Sequence, residues 1–131
     1  MTRSLVVLLA VALSAGASGP HLGEATDVVV TGTGMAWADE PLSQHECETF
    51  RLSAEQARGF LNRAIIVTGM EIHDLYFESP CFVKGTARFR GQSATWKIYK
   101  FGIGYVELVD TEYKFSLVDE KSVRRIEHKN L

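Results

Sequence analysis

Residues 82–118 read FVKGTARFRGQSATWKIYKFGIGYVELVDTEYKFSLV, and the spacing of apolar side chains in this stretch decides the fold. Apolar and polar residues alternate in four runs, Phe82 to Arg90, Ala94 to Phe101, Gly104 to Val109 and Tyr113 to Val118. A period of two is that of a strand with one buried face. The separators are RGQS, the Gly102 to Gly104 region and DTEY. Connections this short join antiparallel neighbours, because a parallel return needs a crossover of about a dozen residues or more. The alternation assigns Val83, Ala87, Phe89, Trp96, Ile98, Val106, Leu108, Phe115 and Leu117 to the core face. It sends Lys84, Arg88, Arg90, Thr95, Lys97, Tyr99, Tyr105, Glu107 and Lys114 to the other side.

Such a sheet needs a cover for its apolar face, and the preceding segment supplies one. Ser53 followed by Gln56 suits a capping box, and Ala54, Ala57, Phe60, Leu61, Ala64 and Ile65 recur on one helical side. Glu55, Arg58, Asn62 and Arg63 fall mainly on the opposite side, so the pattern predicts a helix over 53–67 that stops near Gly69. Upstream, the β-branched run Val28, Val29 and Val30 predicts a first strand over 25–31, and 46–52 a second. Residues 32–44 between them read as a turn-rich loop holding Met35 and Trp37. The expected class is α+β, with one main helix packed on an antiparallel sheet in the order β-β-α-β-β-β-β and a closing meander.

The chain begins MTRSLVVLLAVALSAGASG, with a basic residue, an apolar run from Leu5 to Leu13, and small residues at Ala15 and Ala17. This is the pattern of a secretory signal peptide over 1–17, and the run falls short of the roughly 20 residues a membrane-spanning helix needs. No cysteine follows it, so no lipid attachment and no stable membrane anchor are expected. Cleavage after Ala17 leaves 131 − 17 = 114 residues with a formal charge of 13 − 16 = −3 once Arg3 is removed. That length suits one domain, over 25–118, flanked by a flexible leader at 18–24 and a charged tail at 119–131. The acidic balance argues against a nucleic-acid binder, which carries a basic excess. The expected location is periplasmic or secreted.

Both cysteines, Cys47 and Cys81, lie in the exported part, where an even count favours a disulfide between them. Two buried thiols or a metal pair are the alternatives, and no CxxC spacing supports the metal.

Around the second cysteine, Glu71 to Cys81 reads EIHDLYFESPC, the densest set of titratable groups in the chain. Glu71, His73 and Asp74 offer a base or metal ligands, yet the HExxH spacing is missing and so is a third ligand. The structural reading is a corner fixed by Ser79 and Pro80, with Leu75, Tyr76 and Phe77 pinning it down. Ser43, His45 and Glu46 are close in sequence without forming a triad pattern, and the Thr31 to Gly34 run lacks the lysine of a phosphate loop. No catalytic residue, metal or cofactor is therefore expected.

The polar side of the sheet remains as a recognition surface. It is basic and carries tyrosines on an otherwise acidic protein, and arginine and tyrosine are favoured interface anchors. Arg88, Arg90, Lys97, Tyr99 and Tyr105, with Trp37 as a loop anchor, are the candidate partner-binding residues. The leading expectation is a non-enzymatic binding protein for a protein partner in the cell envelope, of the inhibitor or immunity type directed at a toxin or hydrolase. The alternative is a small-ligand or glycan-binding module with a pocket beneath the helix lined by Phe60, Trp96 and Phe115. An enzyme built on Glu71, His73 and Asp74 ranks third.

The succession of His73-Asp74, Ser79-Pro80-Cys81, Gly85 to Phe89 (GTARF) and Gly91 to Ile98 (GQSATWKI) resembles small exported proteins of Gram-negative bacteria that carry SPC and W-x-I segments. The resemblance covers His73 to about Leu117 and implies export and compact size. It transfers no activity and no catalytic residue. Members of that group carry further cysteines near the C-terminus, which this chain lacks.

Overall fold

Period-two alternation in the second half of the chain becomes a strand meander in the protein, seen in a computed structural model that describes residues 19–37 and 41–125. The expected signal peptide at 1–17, the first leader residue and tail residues 126–131 lie outside the described residues. β3 (Cys81–Phe89), β4 (Gln92–Tyr99), β5 (Ile103–Leu108) and β6 (Lys114–Val118) follow one another as antiparallel neighbours. β1 (Ala25–Ala36) adds to β3, and β2 (Ile65–Val67) adds to β6, giving the six-stranded order β1-β3-β4-β5-β6-β2. The chain is α+β, as the alternation predicts.

Three connections show why the pairing holds. Phe89 pairs with Gln92, so Arg90 and Gly91 alone form the β3–β4 turn, both at positive φ (52° and 80°). Positive φ at both central positions is what a two-residue hairpin needs to match strand twist. β1 is an edge strand whose register breaks three times, between Thr26 and Val29, Val30 and Gly32, and Gly32 and Met35. Such bulges blunt an edge against pairing with another chain. They also let β1 run to Ala36, beyond the predicted end at Thr31.

The second predicted strand is corrected by the structure. Residues 46–52 form no strand; α1 (Pro41–Cys47) opens on a proline, a residue suited to the first helical turn, and the chain then crosses the edge of β1. There Phe50 O accepts from Gly34 N–H at 2.9 Å. The sixth strand is instead β2, which follows the main helix. α2 (Ala54–Arg63) carries the predicted capping box, with Ser53 Oγ accepting from Gln56 N–H and Gln56 Oε1 accepting from Ser53 N–H. It ends at Ala64, before the predicted 67, because Ile65, Ile66 and Val67 are β-branched and take ladder partners Val118, Leu117 and Ser116. Ser53→Ala is expected to cost about 1 kcal/mol in a urea melt, since it removes the acceptor for the Gln56 amide.

α2 lays Ala57, Phe60 and Leu61 on the apolar sheet face, against a core that includes Val83, Ala87, Phe89, Trp96, Ile98, Val106 and Leu117. A second cluster lies on the opposite face. Ile72 of α3 (Gly69–Leu75) and Tyr76 join Phe82, Tyr99, Ile103 and Val118 there, with Ile65 and Val67 at its border. One helix therefore covers the inner face, and a short one covers part of the outer face.

Both ends of the described chain are built into this frame. The leader, predicted to be flexible, docks along the β2 edge: Pro20 O accepts from Ile66 N–H at 2.8 Å, and Asn62 Oδ1 accepts from Ala25 N–H at 2.8 Å. The first part of the predicted tail turns back as a strap. Ser122 Oγ donates to Gly102 O at 2.6 Å, Asp119 pairs with Arg63 at 3.2 Å, and Phe77 N–H donates to Val123 O. These segments carry too few apolar residues to advertise docking; hydrogen bonds from backbone and side chains, and one ion pair, hold them.

Candidate binding face on the outer side of the sheet

Strand register sets the outer face in rows. Lys84 stands opposite Lys97, which stands opposite Tyr105; in the next row Thr86 faces Thr95, Thr95 faces Glu107, and Glu107 faces Lys114. These side chains surround a half-open depression of about 460 Å³ that also reaches Thr31 on β1. The floor is the sheet itself at Gly85, Trp96 and Val106. α3 stops short of this area, so the depression is the part of the outer face that the second apolar cluster leaves uncovered.

At the covered end lies an aromatic group. The Tyr99 ring centroid is 5.0 Å from that of Phe82, 5.9 Å from Trp37 and 5.7 Å, edge-on, from Tyr105. Lys97 Nζ lies 5.1 Å from the centroid of the Phe82 ring. Trp37 is held by its amide, which donates to Pro80 O at 3.1 Å, while its side chain stays 56% exposed. Burial pushes the Tyr105 hydroxyl up to about 12, with Glu78 and Tyr99 adding to the shift. The same two leading causes, burial first and then Glu78, raise Tyr99. Both phenols stay protonated at neutral pH and act as donors there.

This shift carries a pH dependence of known sign. Tyr105 titrates higher when folded than its ordinary value of 10.0, so the unfolded chain loses that proton first as pH rises. Its contribution is complete below pH 10 and is lost as pH rises toward 12. In urea melts at a series of pH values, wild type should therefore lose stability more steeply than Tyr105→Phe as pH rises from 10 toward 12.

The candidate partner-binding residues separate. Lys97 and Tyr105 are adjacent in one row, and Trp37 borders the same face. Arg88 is on the face but its guanidinium is tied to the hairpin, donating to Gly91 O at 2.5 Å and to Ser93 Oγ at 3.2 Å. Arg90 is not on the face; it occupies the turn and borders a recess with His21, Leu22 and Phe115. Tyr99 points outward in register but is only 9% exposed, so it supports Trp37 and Tyr105 from below. Thr86 shares the period-two parity of Lys84 and Arg88, so the same alternation could have found it; Thr31 and Glu78 join without any local signal, because their placement depends on pairing between distant strands and on the path of residues 76–80.

The other candidates resolve differently. Cys47 and Cys81 form a disulfide that joins the end of α1 to the start of β3. A disulfide fits a non-cytoplasmic protein, and among the described residues no helix is long and apolar enough to cross a membrane. Glu71 to Cys81 is a helix followed by an extended exit, where a bent corner was expected. Glu71 Oε1 accepts from Thr68 N–H at 2.8 Å and Thr68 Oγ1 accepts from Glu71 N–H at 3.0 Å, a second capping box in the chain. Its carboxylate thus holds a helix end, His73 and Asp74 are exposed, and no group of metal-ligating side chains forms among the described residues. The pocket expected beneath α2 is not built from Phe60, Trp96 and Phe115: a depression of about 430 Å³ beside α2 is lined by Phe60 with Phe50, Gly59, Ile98 and Phe101, without Trp96 or Phe115. A Cβ at Gly104 would sit 2.5 Å from the Phe60 ring and one at Gly85 2.4 Å from the Trp96 ring, so both aromatics rest directly on glycine backbone. Phe115 lies apart, at the recess beside Arg90.

Comparison with family models, with curated proteins and with solved structures found no match for this chain. The outer face therefore has to be read from its own chemistry.

Proposed function

We propose that the protein is an exported, non-enzymatic binding protein whose outer sheet face occludes a protein partner in the cell envelope, in the manner of an inhibitor or immunity protein. The observation that carries this reading is the Lys84–Lys97 pair. The two lysines are directly opposed across β3 and β4, and neither forms an ion pair among the described residues. Like charges in opposed positions weaken a sheet, and within the fold only Lys97 has a partial offset, its ammonium lying over the Phe82 ring. A partner of opposite charge offsets both. The neighbouring aromatics supply the apolar contact that such an interface needs at its centre, while the lysines steer encounter. The signal-peptide pattern and the disulfide support an envelope or extracellular setting.

Affinity capture from periplasmic extract tests this, with wild type compared against Lys84→Glu/Lys97→Glu. The expected result is a protein retained by the wild type and lost with the charge reversal while the melting temperature stays within a few degrees. Equal recovery on both proteins removes the outer face from the reading. A small-ligand module is the second reading, favoured by the depression of about 460 Å³, which falls within the range of ligand sites. It is supported instead if a small molecule, and no protein, co-purifies with the wild type alone.

A further inference from the structure

We infer that the depression on the outer face is a carboxylate subsite, seating an acidic side chain of a partner polypeptide between Lys84 and Lys97. The inference rests on the binding-face reading above and specifies its chemistry. Lys84 and Lys97 are opposed on neighbouring strands, and Tyr105 continues the same row on the next one. An anion seated in the depression is therefore bordered by two lysine side chains and by Tyr105, whose phenol stays protonated. Hydroxyls of Thr86 and Thr95 border the same space one row away. Every one of these groups can donate a hydrogen bond, and charge-assisted bonds to a carboxylate are stronger than neutral ones.

The same surroundings select against a uniformly charged polymer. Glu107 lines the depression, facing Thr95 on one side and Lys114 on the other. Glu78 is close enough to raise both phenols. A polyanionic glycan laid across the face would meet these two carboxylates, whereas a polypeptide can place a single acid over the lysine pair and apolar residues toward Trp37. The protein's net charge of −2 adds to the repulsion of a polyanion.

The test uses the full mature chain and two capped peptides, acetyl-Tyr-Glu-Gly-Glu-amide and its Tyr-Gln-Gly-Gln counterpart, titrated by amide chemical shift at low salt. The Glu peptide is expected to shift the amides of Lys84, Thr95, Lys97 and Tyr105, to bind about tenfold more tightly than the Gln peptide, and to lose that advantage in Lys84→Gln/Lys97→Gln. A control pair away from the face, Lys100→Gln/Lys121→Gln, should retain it. The advantage should also shrink as salt is raised, because the depression is open to solvent. Equal binding of the two peptides, shifts centred elsewhere, or an unchanged preference in the Lys84/Lys97 variant overturns the inference. So does tighter, lysine-dependent binding of a sulfated glycan than of the Glu peptide. If the peptides fail while the captured envelope protein is still lost on charge reversal, the carboxylate subsite is wrong and the binding face stands; if both fail, both readings fall.

Discussion

Trp96→Ala is expected to lower the free energy of unfolding by about 3–5 kcal/mol, the cost of truncating a large buried aromatic. Trp96 is 1% exposed, sits in the middle of the β4 ladder, and faces Gly85 on one neighbour and Val106 on the other. Its Nε1 donates to Thr86 O at 2.8 Å, so truncation opens a void and also leaves a carbonyl without that donor. Single domains are stable by only about 5–15 kcal/mol, and this loss is a large fraction. Urea melts followed by far-UV circular dichroism measure it. The mirror experiment adds volume to the same contact. At Gly85 a Cβ would lie 1.9 Å from Val29 O and 2.4 Å from the Trp96 ring, so Gly85→Ala must push β1 or the indole away. Gly91→Ala is the control: φ is +80° but the surrounding space is open, so only the left-handed backbone penalty of about 1–2 kcal/mol applies. Gly85→Ala is expected to cost more than Gly91→Ala, and equal costs would show that the indole does not depend on the missing Cβ.

Cys81→Ser is expected to cost about 2–5 kcal/mol, the usual loss for a native disulfide in a small secreted domain. The link spans a sequence separation of 34 residues, for which the chain-entropy formula gives about 4 kcal/mol. Both sulfurs are buried, Cys47 at 0% and Cys81 at 1% exposure, so the variant also leaves a thiol and a hydroxyl in the interior. A Cys47→Ala/Cys81→Ala double variant separates the two effects, because it removes the cross-link without the buried hydroxyl. The disulfide lies next to the Pro80 carbonyl that holds Trp37. Loss of stability in both variants, with partner binding retained at low temperature, identifies the link as scaffold. Unaltered stability with lost binding would instead make it part of the recognition surface through Trp37.

The meander was legible because each of its strands alternates cleanly and its turns are short. Trp96, Ile98, Val106 and Leu117 were assigned inward from period alone, and they are among the least exposed residues of the inner core. Ser53 and Gln56 marked the start of α2 because a capping box needs only four consecutive residues. Thr68 and Glu71 form the same device, but Gly69 and the cluster of titratable residues that follows give it the look of a corner or a site. Ile65 continues the apolar stripe of α2, so period alone extends the helix over 65–67; only pairing with β6 gives the β-branched residues there a better place.

The candidate site was legible in part for the same reason. Alternation put Lys84, Lys97, Tyr105 and Lys114 on one side, and register then brought Lys84, Lys97 and Tyr105 into a row. Alternation could not show that Arg90 belongs to a turn, or that Tyr99 lies beneath Trp37 and beside Phe82. Those facts depend on the bulged course of β1 and on the cover supplied by α3, both set by contacts between residues far apart in the chain.

The sequence by itself determined the antiparallel meander, the inner and outer sets of side chains and the cap of the main helix, because each follows from the chemistry of residues a few positions apart. Tertiary structure alone decided that the 19–24 leader and the 119–125 strap are docked, and that the depression on the outer face lies around Lys84, Thr95 and Lys97. These depend on which distant backbone groups and aromatic rings come within bonding distance when the sheet closes, and no local pattern of residues encodes that meeting.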